Sequence, residues 1–137
     1  MGTSNSKKNT DDLILWLRQY ATTHLDPYSA DESRGFPPHV LLDLGNRGLF
    51  GLHVSRQYGG LALNTSDLVR VLEQLGAIDL TLATMVIESI QGARTLERYA
   101  TGSMKSHYLP QLLPCQLFLQ LIYHSLLLHL SYLLNFQ

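Results

Sequence analysis

Four glycines fall within the stretch Gly48-Leu49-Phe50-Gly51-Leu52-His53-Val54-Ser55-Arg56-Gln57-Tyr58-Gly59-Gly60-Leu61-Ala62-Leu63, and helical periodicity lies on both sides of it. Gly48 suits the left-handed position just past a helix end, where a Cβ is strained. Gly59-Gly60 reads as a tight turn that needs positive φ or close approach by a neighbouring segment. The stretch therefore predicts a helix stop, an extended passage and a turn, in that order.

The flanking patterns are helical. Thr10 with Asp11 and Asp12 reads as a capped helix start, the carboxylates lying at the positive end of the dipole. Leu13, Trp16, Leu17, Tyr20 and Ala21 then share one face, and Asp26-Pro27 disfavours continuation past Leu25. After a polar loop, Pro37-Pro38 suits the first turn of a second helix carrying Val40, Leu41 and Leu44. Asn64 to Asp67 offers N-caps for a third, with Leu68, Val71, Leu72 and Leu75 at core spacing and a stop near Gly76. Asp79 caps a fourth, through Leu82, Met85, Val86, Ser89 and Ile90 towards Tyr99, where Gly92 marks a bend or a close helix contact. No stretch alternates long enough for a sheet, so the fold class is all-α, a short helical bundle.

The 137 residues, 45% hydrophobic with a net charge of -1, suffice for one domain with a modest core. Arginines are scattered and no basic-aromatic patch exists, which argues against nucleic acid as a partner. The single cysteine, Cys115, has no internal disulfide partner and no base at suggestive spacing. It reads as an inert thiol. The polar first ten residues read as a disordered N-terminus without a signal-type apolar segment, giving cytoplasmic residence as the expectation.

The glycine stretch also carries a resemblance. Gly48-Leu49-Phe50-Gly51-Leu52, a variable pair, then Arg56-Gln57-Tyr58-Gly59-Gly60-Leu61-Ala62-Leu63 resembles the signature near the start of acyl-CoA dehydrogenases. Ser55 stands where that family commonly has proline before its Glu-Glu-Tyr-Gly-Gly. Val71 to Gly76 is similar to the family's helix ending in Glu-Glu-Leu-Ala. Tyr99-Ala100-Thr101, Lys105 and Tyr108-Leu109-Pro110 resemble its Tyr-Gly-Thr-Glu-Glu-Gln-Lys and Tyr-Leu-Pro blocks. Residues 11–113 thus resemble the family's amino-terminal helical domain, and 114–137 form an uncharged leucine-rich tail of different character.

The resemblance implies a flavoprotein that uses FAD to desaturate acyl-CoA thioesters. That reaction needs a base at the α-proton and a flavin against the acyl chain. Glu32, Glu73, Glu88 and Glu97 match no position the family uses for its base, and Glu73 and Glu97 read as solvated helix-surface residues. No catalytic residue, metal ligand or flavin contact is assigned. The family's β-domain and second helical domain have no counterpart after residue 113, so the expectation is a chain that is catalytically incomplete unless complemented. The alternative is a non-catalytic helical fragment or interaction module.

The fourth helix carries the substrate expectation. The resemblance assigns its counterpart to the far wall of the acyl pocket, with Ala83, Thr84, Ile87, Glu88 and Gln91 on one side of the helix. The competing reading is a face that packs another helix. A buried Glu88 would be costly unless paired or protonated. His24, His39 and His53 read as surface or turn residues. His124 and His129, five apart, do not stack for metal binding.

Every charged residue lies at or before Lys105, and the tail from Leu117 to Phe136 is leucine-rich. Three readings compete for it. A departure from the ancestral frame or gene end explains the abrupt change of sequence character. A membrane-associated helix reaches spanning length, with Gln120, His124, His129 and Asn135 against insertion. A C-terminal amphipathic helix could instead cap the domain, its polar residues Gln116, Gln120, His124, Ser131 and Asn135 on one arc. Without neighbouring domains, exposed apolar surface predicts self-association.

Overall fold

The computed structural model describes residues 3–25 and 36–113. The expected polar loop falls almost entirely outside these residues, and Glu32, Cys115 and the whole tail lie outside them too. Five α-helices and two short 3-10 turns make up the ordered elements among the described residues, with no strand. They are α1 (Thr3–His24), α2 (Pro38–Asn46), α3 (Thr65–Ile78), α4 (Leu80–Tyr99) and α5 (Gly102–Leu112), with the turns at Leu49–Gly51 and Arg56–Tyr58.

Helix α1 begins at Thr3, a full two turns before the expected start. No glycine or proline interrupts residues 3–10, so nothing stops the helix from propagating backwards from its packed turns. Thr10 is fully buried inside the helix and is therefore not its N-cap. The expected apolar face is the one that packs, through Leu13, Leu17 and Tyr20. Tyr20 also donates its hydroxyl to Asp43 of α2 at 2.6 Å. Burial first, and the Asp43 carboxylate second, push that hydroxyl well above the usual phenol range.

The caps follow the sequence closely. Asn64 accepts from the Asp67 amide at 2.9 Å to open α3, and Asp79 accepts from the Leu82 amide at 2.9 Å to open α4. Helix α3 runs to Ile78 rather than stopping near Gly76, because the Asp79 amide still reaches the Leu75 carbonyl at 2.8 Å. On the surface, Arg70 of α3 pairs with Asp11 of α1 at 2.6 Å, an exposed contact of small energetic weight.

Between α2 and α3 the chain makes two 3-10 turns, not an extended passage. Gly48 at φ +81° and Gly59 at φ +90° hold the left-handed positions at which the turns begin and end. Residues 61–63 then fold back across the first turn. The Leu61 amide donates to Gly51 at 3.0 Å, Ala62 to Val54 at 3.0 Å and Leu63 to Leu52 at 2.7 Å. That return presses Gly60 against the backbone, where a Cβ would lie 2.1 Å from the Val54 carbonyl oxygen. Both properties expected of the Gly59-Gly60 pair are therefore present, one on each residue.

Leu49, Phe50 and Leu52 of this crossing sit at 0% exposure in a main core shared with α1, α2, α3 and α4. Full burial of each such side chain stabilises by about 1.5–3 kcal/mol, which makes the crossing part of the core and not a surface loop. A second cluster joins Val54 and Ala93 to Leu109, Leu112 and Leu113. It fixes α5, a helix that the sequence pattern did not single out, against α4 and the second turn. A methyl group added to Gly92 of α4 would meet no described residue within 4 Å, so among the described residues neither a close helix contact nor crowding accounts for this glycine.

Candidate functional site

Helix α4 is held from three sides. Leu82, Ala83, Val86 and Ile90 enter the main core, Ala93 enters the second cluster, and Asp79 fixes the start of the helix. What remains outside is one surface. Thr84, Ile87, Glu88 and Gln91 all lie on it, exposed, with Ile87 at 37%.

Ala83 departs from these four. It is 3% exposed and belongs to the core, at the buried edge of the arc. The structure thus brings Thr84, Ile87, Glu88 and Gln91 together and turns Ala83 inward. Thr84 donates its hydroxyl to the Leu80 carbonyl at 2.9 Å, which spends its one donor inside the helix. Glu88 is exposed, so the burial cost expected of it does not arise. Leu80 and Tyr99, 74% and 76% exposed, stand at the two ends of the helix.

Chemically this face presents a threonine, an isoleucine, a carboxylate and an amide on one helix. It lacks an opposing surface among the described residues, and none of the described cavities includes any of the four. A flavin ring requires enclosure on more than one side, so the described residues alone do not fit FAD, and no step is assigned through it. Nor, among the described residues, is a base poised beside another reacting group. Glu73 is exposed, and Glu97 accepts from the Ser55 amide at 3.3 Å and from the Ser55 hydroxyl.

That last contact corrects the reading of Glu97 as a solvated surface residue. Its partner is 42 positions away in sequence, so no local pattern could announce it. His53 is a second correction. It sits on the glycine crossing as expected, but both ring nitrogens are buried without a hydrogen-bond partner among the described residues. His24 and His39 are exposed, as expected, with His24 stacked on Tyr20 at a centroid distance of 4.4 Å.

Among the described residues no helix is long and apolar enough to cross a membrane. The sequence matches the family model described as "Acyl-CoA dehydrogenase, N-terminal domain" over residues 9–115. It is 27% identical over 99 residues to the mitochondrial short/branched chain specific acyl-CoA dehydrogenase of Bos taurus, covering 70% of this chain and 23% of that protein. It is 26% identical over 101 residues to the cyclohex-1-ene-1-carbonyl-CoA dehydrogenase of Syntrophus aciditrophicus (strain SB), covering 72% and 24% respectively. The Rattus norvegicus short/branched chain enzyme gives 26% over 109 residues, covering 75% and 25%. The chain thus spans about a quarter of the length of the curated relatives it matches.

Proposed function

The chain belongs to the acyl-CoA dehydrogenase family as its amino-terminal domain, and from that premise we propose that the outer face of α4 forms the acyl-side wall of a dehydrogenase acting on acyl-CoA thioesters. Thr84, Ile87, Glu88 and Gln91 are the wall, and Ala83 is its buried edge. The observation that supports this reading is the division of α4. Its inner stripe is committed to two cores, while the outer arc expected from the family resemblance stands uncovered.

The substrate class in this reading is short, branched or cyclic acyl groups, supported by the names of the relatives. FAD and the proton acceptor belong to the parts of such an enzyme beyond residues 9–113, and this domain's role is to orient the acyl group and exclude water from it. In the isolated chain the same exposed apolar positions, Leu80, Ile87 and Tyr99, favour self-association.

A chimera tests the proposal. Residues 9–113 replace the matching stretch of the bovine relative, and flavin-linked oxidation of branched and straight acyl-CoA thioesters is followed. Activity with an acyl preference that moves when Ile87 is changed supports the wall. An active chimera indifferent to every substitution on this face refutes it.

A further inference from the structure

His53 is left with unmet hydrogen-bonding capacity. Its Nδ1 and Nε2 are both buried, and neither has a partner among the described residues. A neutral imidazole always keeps one N–H and one lone pair, and leaving such a group unsatisfied costs on the order of 1–3 kcal/mol. The ring lies in the wall of a cavity of about 470 Å3 whose other lining residues are Arg94, Thr95, Glu97, Arg98 and Tyr99.

The charges of this cavity are unbalanced. Glu97 is already engaged by the Ser55 amide and hydroxyl. Arg94 and Arg98 are one turn apart on α4, exposed, and in no ion pair with a described residue. Arg98 lies over the Tyr99 ring at 5.6 Å, and Thr95 donates its hydroxyl to the Gln91 carbonyl at 2.9 Å. Two guanidinium groups, a phenol and a half-buried imidazole therefore border one space, with a single carboxylate that is otherwise occupied.

We propose that this cavity is a phosphate-binding site in which Arg94 and Arg98 hold the anion and His53 donates its ring N–H to a third oxygen. A phosphate offers acceptor oxygens for three separate donors, and its two charges offset both guanidinium groups. A carboxylate carries a single charge over two oxygens, and so is the weaker partner for two guanidinium groups and an imidazole at once. Both ring nitrogens are buried, so binding through His53 requires a side-chain rearrangement at the edge of the cavity that opens one of them. The site is separate from the acyl wall, since its lining shares no residue with Thr84, Ile87, Glu88 or Gln91.

The test uses the whole 137-residue chain. Orthophosphate is titrated at constant ionic strength against chloride while the histidine ring proton signals are followed by NMR, with His53 assigned by its loss in His53→Gln. The expected result is a saturable shift of the His53 signal, with affinity reduced by about tenfold or more in Arg94→Gln and in Arg98→Gln. Acetate at the same strength should move the signal little. Glycerol phosphate in a parallel arm separates an esterified phosphate from the free anion, since a site built for a phosphate ester binds both. No saturable shift, an equal response to acetate, or unchanged affinity in the Arg94→Gln/Arg98→Gln double variant overturns the site. Because both arginines are exposed, retained helical circular dichroism in these variants separates lost binding from lost folding.

Discussion

Ser55 and Glu97 are joined by two hydrogen bonds, the Ser55 amide and hydroxyl both donating to the same Glu97 carboxylate oxygen. This ties the glycine crossing to the last turns of α4. The backbone of Ser55, at φ -57° and ψ 143°, already has the shape a proline would impose. The serine therefore keeps the geometry of the residue common in its family while adding two donors that proline lacks.

Removing one partner should be felt in stability. Hydrogen bonds to a charged group contribute more than neutral ones, so Ser55→Ala and Glu97→Ala should each lower unfolding free energy by about 1–2 kcal/mol. A double-mutant cycle in urea should return a coupling of about 1 kcal/mol, and additive losses would mean that the contact contributes nothing of its own.

The glycines predict opposite signs. Gly60→Ala drives a Cβ to 2.1 Å from the Val54 carbonyl oxygen, a backbone atom that has little freedom to move. A loss above about 2 kcal/mol, or failure to fold, is expected. Gly92→Ala meets no described residue within 4 Å and lies inside α4. It should stabilise by about 0.5–1 kcal/mol, and thermal melts of the two variants read both effects.

Ala62 is the reverse case. It adopts φ +51° without being glycine. Ala62→Gly relieves a left-handed strain of about 1 kcal/mol, against which the greater freedom of an unfolded glycine must be set. A net gain or no change is expected in a denaturation midpoint, whereas Ala62→Val should lower it clearly.

Stability should also respond to pH through His53. Burial lowers its pKa, Glu97 opposes that shift and Arg94 adds to it. The unfolded chain, titrating near 6.5, then binds the proton first as pH falls. Between the two pKa values the unfolded state holds more protons, so stability declines as pH drops below about 6.5. His53→Gln should flatten that part of the wild-type profile in urea melts across this range, and a profile with the same slope in both proteins contradicts the burial argument.

Much of this fold was legible because its signals are local. Gly48, Gly59, Asn64 and Asp79 act through their own backbone or the next turn, and each occupies the conformation or cap its residue type implies. Helix α5 was harder. Its buried residues, Leu109 and Leu112, flank Pro110, so a short apolar period is interrupted by a residue that reads as a break. A proline in the last turn sacrifices one amide bond, and the second core holds the helix regardless.

The candidate wall was legible in part. Spacing put five residues on one side of α4, and four are indeed exposed together. Ala83 lies at the edge of that arc beside Leu82 and Val86, and only packing decides which way an edge residue turns. Glu97 and His53 were opaque for a related reason: their environments are made by segments distant in sequence, which periodicity does not report.

The proposed acyl wall is probed most sharply by a ratio of kcat/KM values. In the chimera carrying residues 9–113, branched and straight short-chain acyl-CoA thioesters are compared before and after Ile87→Trp. A wall at this position means that the larger side chain lowers the branched-to-straight ratio by about tenfold, since steric loss there weighs on the bulkier acyl group. An unchanged ratio in an active, folded Ile87→Trp chimera would contradict it.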